Sequence, residues 1–223
     1  IFFHNNVILP CFFDRKSLDS HYTYAFLQGI YEVLRGKKLG NADISALLTT
    51  LDAIVASGQK EAFDSSVRER ESFAGWLAGW SAVHNAMSDI LKELLSEGND
   101  LIIHFTDNRG LLIKLITYLL KYPNPEPKDE QEQQARTNFR GELEYTRSDP
   151  FTAAINSVRG RAFEALALFI YQDGKQFAKD ANIKISKDVK RVYEELLGRE
   201  NNRAVMFMFG HYLSSFYFRN IDW

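Results

Sequence analysis

Apolar residues recur along this chain at intervals of three and four, a spacing that gathers them on one face of an α-helix. In "HYTYAFLQGIYEVLRG", Tyr24, Leu27, Tyr31 and Leu34 form such a face, and Gly36 follows as a helix-ending residue. "NADISALLTTLDAIVASG" predicts a second helix, opened by Asn41 or Asp43 as N-cap and ended at Gly58. The longest pattern, residues 71–98, aligns Phe73, Trp76, Trp80, Val83, Met87, Ile90 and Leu94 and stops at Gly98. "DNRGLLIKLITYLLKY" predicts a helix capped by Asp107 and halted by the prolines after Tyr122, while "LIIHF" at 101–105 fits strand or helix.

The pattern then lapses. "PNPEPKDEQEQQARTNFRGELEYTRS" has three alternating prolines, many charges and almost no aliphatic residues. Such a segment buries too little apolar area to offset its ordering entropy, so residues 122–148 are expected to be an exposed, partly disordered loop. Helical spacing returns at Asp149, a cap with Pro150 at the first helical position, and runs to about Tyr171 with Gly174 beyond. "SKDVKRVYEELLG" follows between Ser186 and Gly198, and the last pattern sets Val205, Phe209, Tyr212, Leu213 and Phe216 on one face.

These patterns predict an all-α fold of about seven helices. Short turns between helix pairs suit an irregular helical-repeat array, a HEAT-like α-solenoid, with a closed helical bundle as the alternative. The boundaries expected are an N-terminal helical subdomain over 1–121, the charged loop over 122–148 and a C-terminal helical subdomain over 149–223. Both ends are apolar, "IFF" and "FYFRNIDW", which suggests a piece of a larger protein that self-associates weakly.

Composition narrows the function classes. The 223 residues carry a net charge of −2, which gives no global attraction for nucleic acid or an anionic membrane. Aromatic residues make up 13%, enough for a thick core. One cysteine, Cys11, excludes an internal disulfide and suits a reducing, cytoplasmic setting. No apolar run approaches the ~20 residues of a membrane span.

Chemistry is sparse. His4, His21, His84, His104 and His211 have no metal-ligand spacing, and no phosphate loop, dinucleotide fingerprint or nucleophile elbow occurs. No catalytic residue, cofactor or metal site is therefore assigned. Trp76 and Trp80, one turn apart, fit core packing better than a base-stacking platform, because glutamates interrupt the neighbouring arginines in "RERE".

The exception is "DPFTAAINSVRGRAFEALALFI", residues 149–170, where polar residues interrupt a greasy helix. Asn156 and Arg159 are three apart and share a direction on a helix. Gly160 lowers helix stability by about 0.8–1 kcal/mol against Ala, which makes sense where another backbone comes close. The structural expectation is that Asn156 and Arg159 hydrogen-bond a neighbouring loop or helix end; the functional one sets Arg159 and Arg161 against an acidic partner.

This segment and its neighbours are similar to the C-terminal helical region of very large bacterial proteins that carry a STAND-type nucleoside-triphosphatase module and are associated with anti-phage defence. The shared core is Asn156, Ser157, Val158, Arg159, Gly160 and Ala162 after Asp149 and Pro150, preceded by Pro123, Pro125 and Pro127 and closed by Asp222 and Trp223. The resemblance covers roughly residues 110–223. It implies a non-catalytic interaction or sensor module that contacts a protein partner or other domains of the parent chain. The alternative, which rests on scattered residues converging in the fold and not on the resemblance, is a hydrolase-like enzyme with an unrecognised site. The ATP-binding module lies outside this sequence, so the resemblance brings no cofactor.

Overall fold

The computed structural model describes residues 19–35, 41–67, 79–96, 101–125, 136–137, 143–144, 149–176 and 185–219. The fold is all-α: the described residues include eight helices with given bounds and a further helical stretch at 65–67, with one antiparallel ladder pairing β1 (Arg136–Thr137) to β2 (Leu143–Glu144). The chain divides into two compact units, Ile1–Leu119 and Leu120–Trp223.

The first unit holds α1 (Ser20–Leu34), α2 (Asn41–Ala62), α3 (Trp80–Leu95) and most of α4 (Leu101–Leu120). Asp19 starts α1, its Oδ1 accepting from the His21 and Tyr22 amides at 2.9 and 3.3 Å. The α1 helix packs most extensively on α3, whose expected stripe of Trp80, Val83, Met87, Ile90 and Leu94 is buried. Trp76 and Gly98 lie outside the described residues.

Two boundaries differ from expectation. Gly58 does not end α2, which continues to Ala62; the Trp80 indole lies where a side chain at 58 would be. Gly58 therefore serves close packing rather than termination. The ambiguous "LIIHF" is helical, because α4 begins at Leu101, and Asp107 is an interior position rather than a cap. The buried positions Phe105, Leu112, Ile116 and Leu119 carry one helical period through the stretch. Across the unit, Ser45 Oγ donates to Asn108 Oδ1 at 2.8 Å and Lys114 pairs with Asp52 at 2.7 Å, joining α2 to α4.

The second unit holds α5 (Pro150–Ile155), α6 (Val158–Gln176), α7 (Lys187–Leu197) and α8 (Arg203–Tyr217). Asp149 caps α5 as expected, accepting from the Thr152 amide at 3.1 Å. The single helix expected from 149 to 171 is broken at Asn156–Ser157, and α6 then continues through a buried Gly174 to Gln176. Ser186 stands at the N-cap of α7, but its hydroxyl donates to the buried Asp173 at 2.6 Å instead of capping.

An aromatic cluster joins the last three helices. Phe163 of α6 lies 4.5 Å from Phe209 of α8, and Tyr193 of α7 lies 5.0 Å from Phe209 and 5.4 Å from Phe216. Each such ring, fully buried, contributes roughly 1.5–3 kcal/mol, with tilted and edge contacts adding to that. The start of the predicted exposed loop is packed instead: Tyr122 is fully buried and Pro125 buried. Apart from the ladder, residues 126–148 lie outside the described residues. Among the described residues no helix is long and apolar enough to cross a membrane.

Candidate functional site

The polar cluster at 156–161 is a helix–helix corner. A helix start leaves its first amides without intrahelical partners, and here each is accounted for. The Val158 amide donates to Asn124 Oδ1 at 2.9 Å, and the Arg159 amide to the Asn124 carbonyl at 3.0 Å. The Gly160 amide donates to Ser157 Oγ at 3.2 Å, and the Arg161 amide to the Ser157 carbonyl at 3.0 Å. Ser157 in turn donates its hydroxyl to the Ala154 carbonyl at 2.8 Å, so one side chain serves the end of α5 and the start of α6.

Gly160 is required by that corner. A Cβ at this position would overlap the Ala154 carbonyl, so the close backbone approach comes from the preceding helix. Arg161 Nε donates to the Ile155 carbonyl at 2.7 Å, occupying another orphan acceptor at the end of α5.

Arg159 reaches away from the corner. Its Nη1 donates to both carboxylate oxygens of Glu200, at 3.1 and 2.8 Å, and its Nη2 to the Pro125 carbonyl. Glu200 Oε1 also accepts from the Asn201 and Asn202 amides, at 3.0 and 2.8 Å. Asn202 then caps α8, its Oδ1 accepting from the Ala204 and Val205 amides. One guanidinium thus ties the Asn124–Pro125 segment, the start of α6 and the α7–α8 turn together. Its Nη donors are directed into its own chain rather than toward solvent.

Asn156 does not share this role. It is exposed and acts through its backbone as the C-cap of α5, because the helix breaks where the sequence pattern runs on. Asn124, Glu200 and Asn202 escaped the sequence reading. Asn202 carried a signal, an N-cap residue directly before an apolar pattern. Asn124 and Glu200 lie 34 and 41 residues from their partners, beyond any local pattern. Asp222, Trp223, Pro127 and Cys11 lie outside the described residues.

The described histidines, His21, His84, His104 and His211, stand on four different helices. His84 is buried in the first unit, with Nδ1 2.6 Å from the Trp80 carbonyl and Nε2 2.9 Å from the Tyr118 hydroxyl. A carbonyl can only accept, so Nδ1 carries the proton and Nε2 accepts from Tyr118. Burial lowers its pKa to about 4, opposed by the Trp80 hydrogen bond, and the ring is neutral at pH 7. His21 and His211 are exposed on separate helices, and His4 lies outside the described residues. Among the described residues no group of three or more His, Cys, Asp or Glu is placed to hold a metal ion.

One outward face of the second unit is apolar. Met206, Phe207, Leu213 and Tyr217 of α8, with its C-cap Phe218, are 37–74% exposed, on the side away from Val205, Phe209 and Phe216. Leu213, expected on the inner face, is on this outer one. Phe151 of α5 extends the patch, with its ring 6.0 Å from both Phe207 and His211. The chain has no Asp or Glu from 201 to 221, so α8 itself bears no acidic group. No family model, no curated protein and no solved structure matches this chain.

Proposed function

We propose that this chain is a non-catalytic helical interaction module, with the outer face of α8 and Phe151 as its docking surface. The observation that carries the reading is the contrast within one helix: α8 fills a core with one side and exposes four large apolar side chains on the other, with Phe218 at its cap. Exposed apolar residues scattered singly are ordinary, but a contiguous set on one helix marks a contact surface. The guanidinium of Arg159 supports the same reading, since its bonds to Glu200 and Pro125 hold that helix in place. The irregular helical-repeat architecture and the sensing role beside a STAND-type ATPase, which the sequence resemblance implies, belong to this proposal.

The test is a photo-crosslinking residue at Phe207 in the full parent protein inside cells. The reading expects discrete adducts, with a protein partner or another part of the parent chain, that disappear when Leu213 is changed to Lys. Absence of any adduct from this face, with the protein folded, would overturn it.

A further inference from the structure

Resting on that reading, we infer that the partner this face fits is a second copy of the same chain, with the two α8 helices crossing antiparallel at Gly210. Gly210 is the midpoint of α8, Arg203–Tyr217, and also sits at the centre of its exposed side. A Cβ there meets nothing within 4 Å, so the helix backbone is open to close approach. A two-fold axis through Gly210 pairs residues at equal distances on either side of it.

That pairing is complementary in size and charge. It sets Phe207 opposite Leu213 of the second copy and Met206 opposite its Ser214, large against small across a close crossing. It sets Arg203 opposite Tyr217 of the second copy, a cation facing an aromatic ring rather than another cation. A parallel crossing would oppose Arg203 to Arg203. A lipid surface fits less well, since interfacial helices want several Lys or Arg beside the apolar face, and this chain is net −2. A face one helix long falls short of the roughly 1,200 Å² of a stable standard interface, so the dimer is weak and suited to reversible assembly.

The experiment is sedimentation of the 223-residue chain across a concentration series, with three variants. Mass should rise from 25.7 kDa toward twice that value. Gly210→Leu should weaken association about tenfold or more without lowering the melting temperature, because its side chain enters open space in the monomer. Leu213→Lys should weaken it similarly. In a Cys11→Ser background, Gly210→Cys should oxidise to a covalent dimer, as residues on the axis face each other. A strictly monomeric chain without that crosslink overturns the inference, as does a dimer unaffected by Gly210→Leu, or a chain that binds anionic vesicles while remaining monomeric. The docking reading is tested separately, since crosslinks from Phe207 to another protein would survive a failure of self-pairing.

Discussion

Arg159 and Glu200, 41 residues apart, meet with one guanidinium nitrogen on both carboxylate oxygens at 3.1 and 2.8 Å. Lys114 and Asp52 approach as closely, at 2.7 Å, yet the settings differ. The side chains of the first pair are 16% and 7% exposed, against 62% and 31% for the second. Coulomb attraction is strong only where water is kept out, and removing one partner from a buried pair leaves the other desolvated and unpaired.

Arg159→Ala should therefore lower stability by about 2–4 kcal/mol, since it takes the counter-ion from Glu200 and the donor from the Pro125 carbonyl together. Lys114→Ala should cost less than about 1 kcal/mol. Denaturant midpoints at unchanged slope report both numbers. Equal shifts would mean that the Arg159 corner is not the tie described.

The two glycines of the second unit should respond in opposite directions. Gly210→Ala gains helix propensity in open space and should stabilise by about 0.8–1 kcal/mol in the monomer. Gly160→Ala gains the same propensity but drives a methyl into the Ala154 carbonyl, so a net loss of roughly 1–3 kcal/mol is expected. Thermal melts at low protein concentration separate the signs.

His84 makes stability depend on pH. Its folded pKa of about 4 lies below the unfolded 6.5, so between these values the unfolded chain binds a proton that the folded chain does not. The stabilisation is complete above pH 6.5 and is lost as pH falls toward 4, amounting to roughly 3 kcal/mol. Urea titrations over that range should show the slope, and His84→Gln should flatten it. An unchanged slope in the variant would assign the effect to other groups.

Helices were legible wherever a periodic apolar face met a local stop. The inner residues Val83, Met87, Ile90 and Leu94 follow from spacing alone, and Asp149 from cap chemistry. The misreadings share a cause. Propensity makes stops of Gly58 and Gly174, but each is a buried position within its helix. The break at Asn156–Ser157 was invisible because residues on both sides keep helical spacing, and what opens the corner is Asn124 arriving from 34 residues earlier. The importance of Arg159 could be read from the chain; its partner Glu200 could not, since nothing local distinguishes it from the solvated glutamates of α7.

The last prediction concerns which asparagine holds the corner. Sequence pattern favours Asn156, which sits in the motif beside Arg159; the structure favours Asn124, which lies outside it. Asn124 presents its side-chain oxygen to the Val158 amide, the role of a helix cap supplied from a distant segment. Its carbonyl also takes the Arg159 amide, but that bond survives any side-chain change. Asn124→Ala should thus remove one capping bond in a part-buried place and cost about 1–2 kcal/mol. Asn124→Asp keeps an acceptor at the positive end of α6 and should recover most of the loss. Asn156 is exposed and serves through its backbone, so Asn156→Ala should stay within about 0.5 kcal/mol of the parent. Midpoints for the three variants decide the matter: a large loss at Asn156 with none at Asn124 would mean that the corner closes differently from the geometry described.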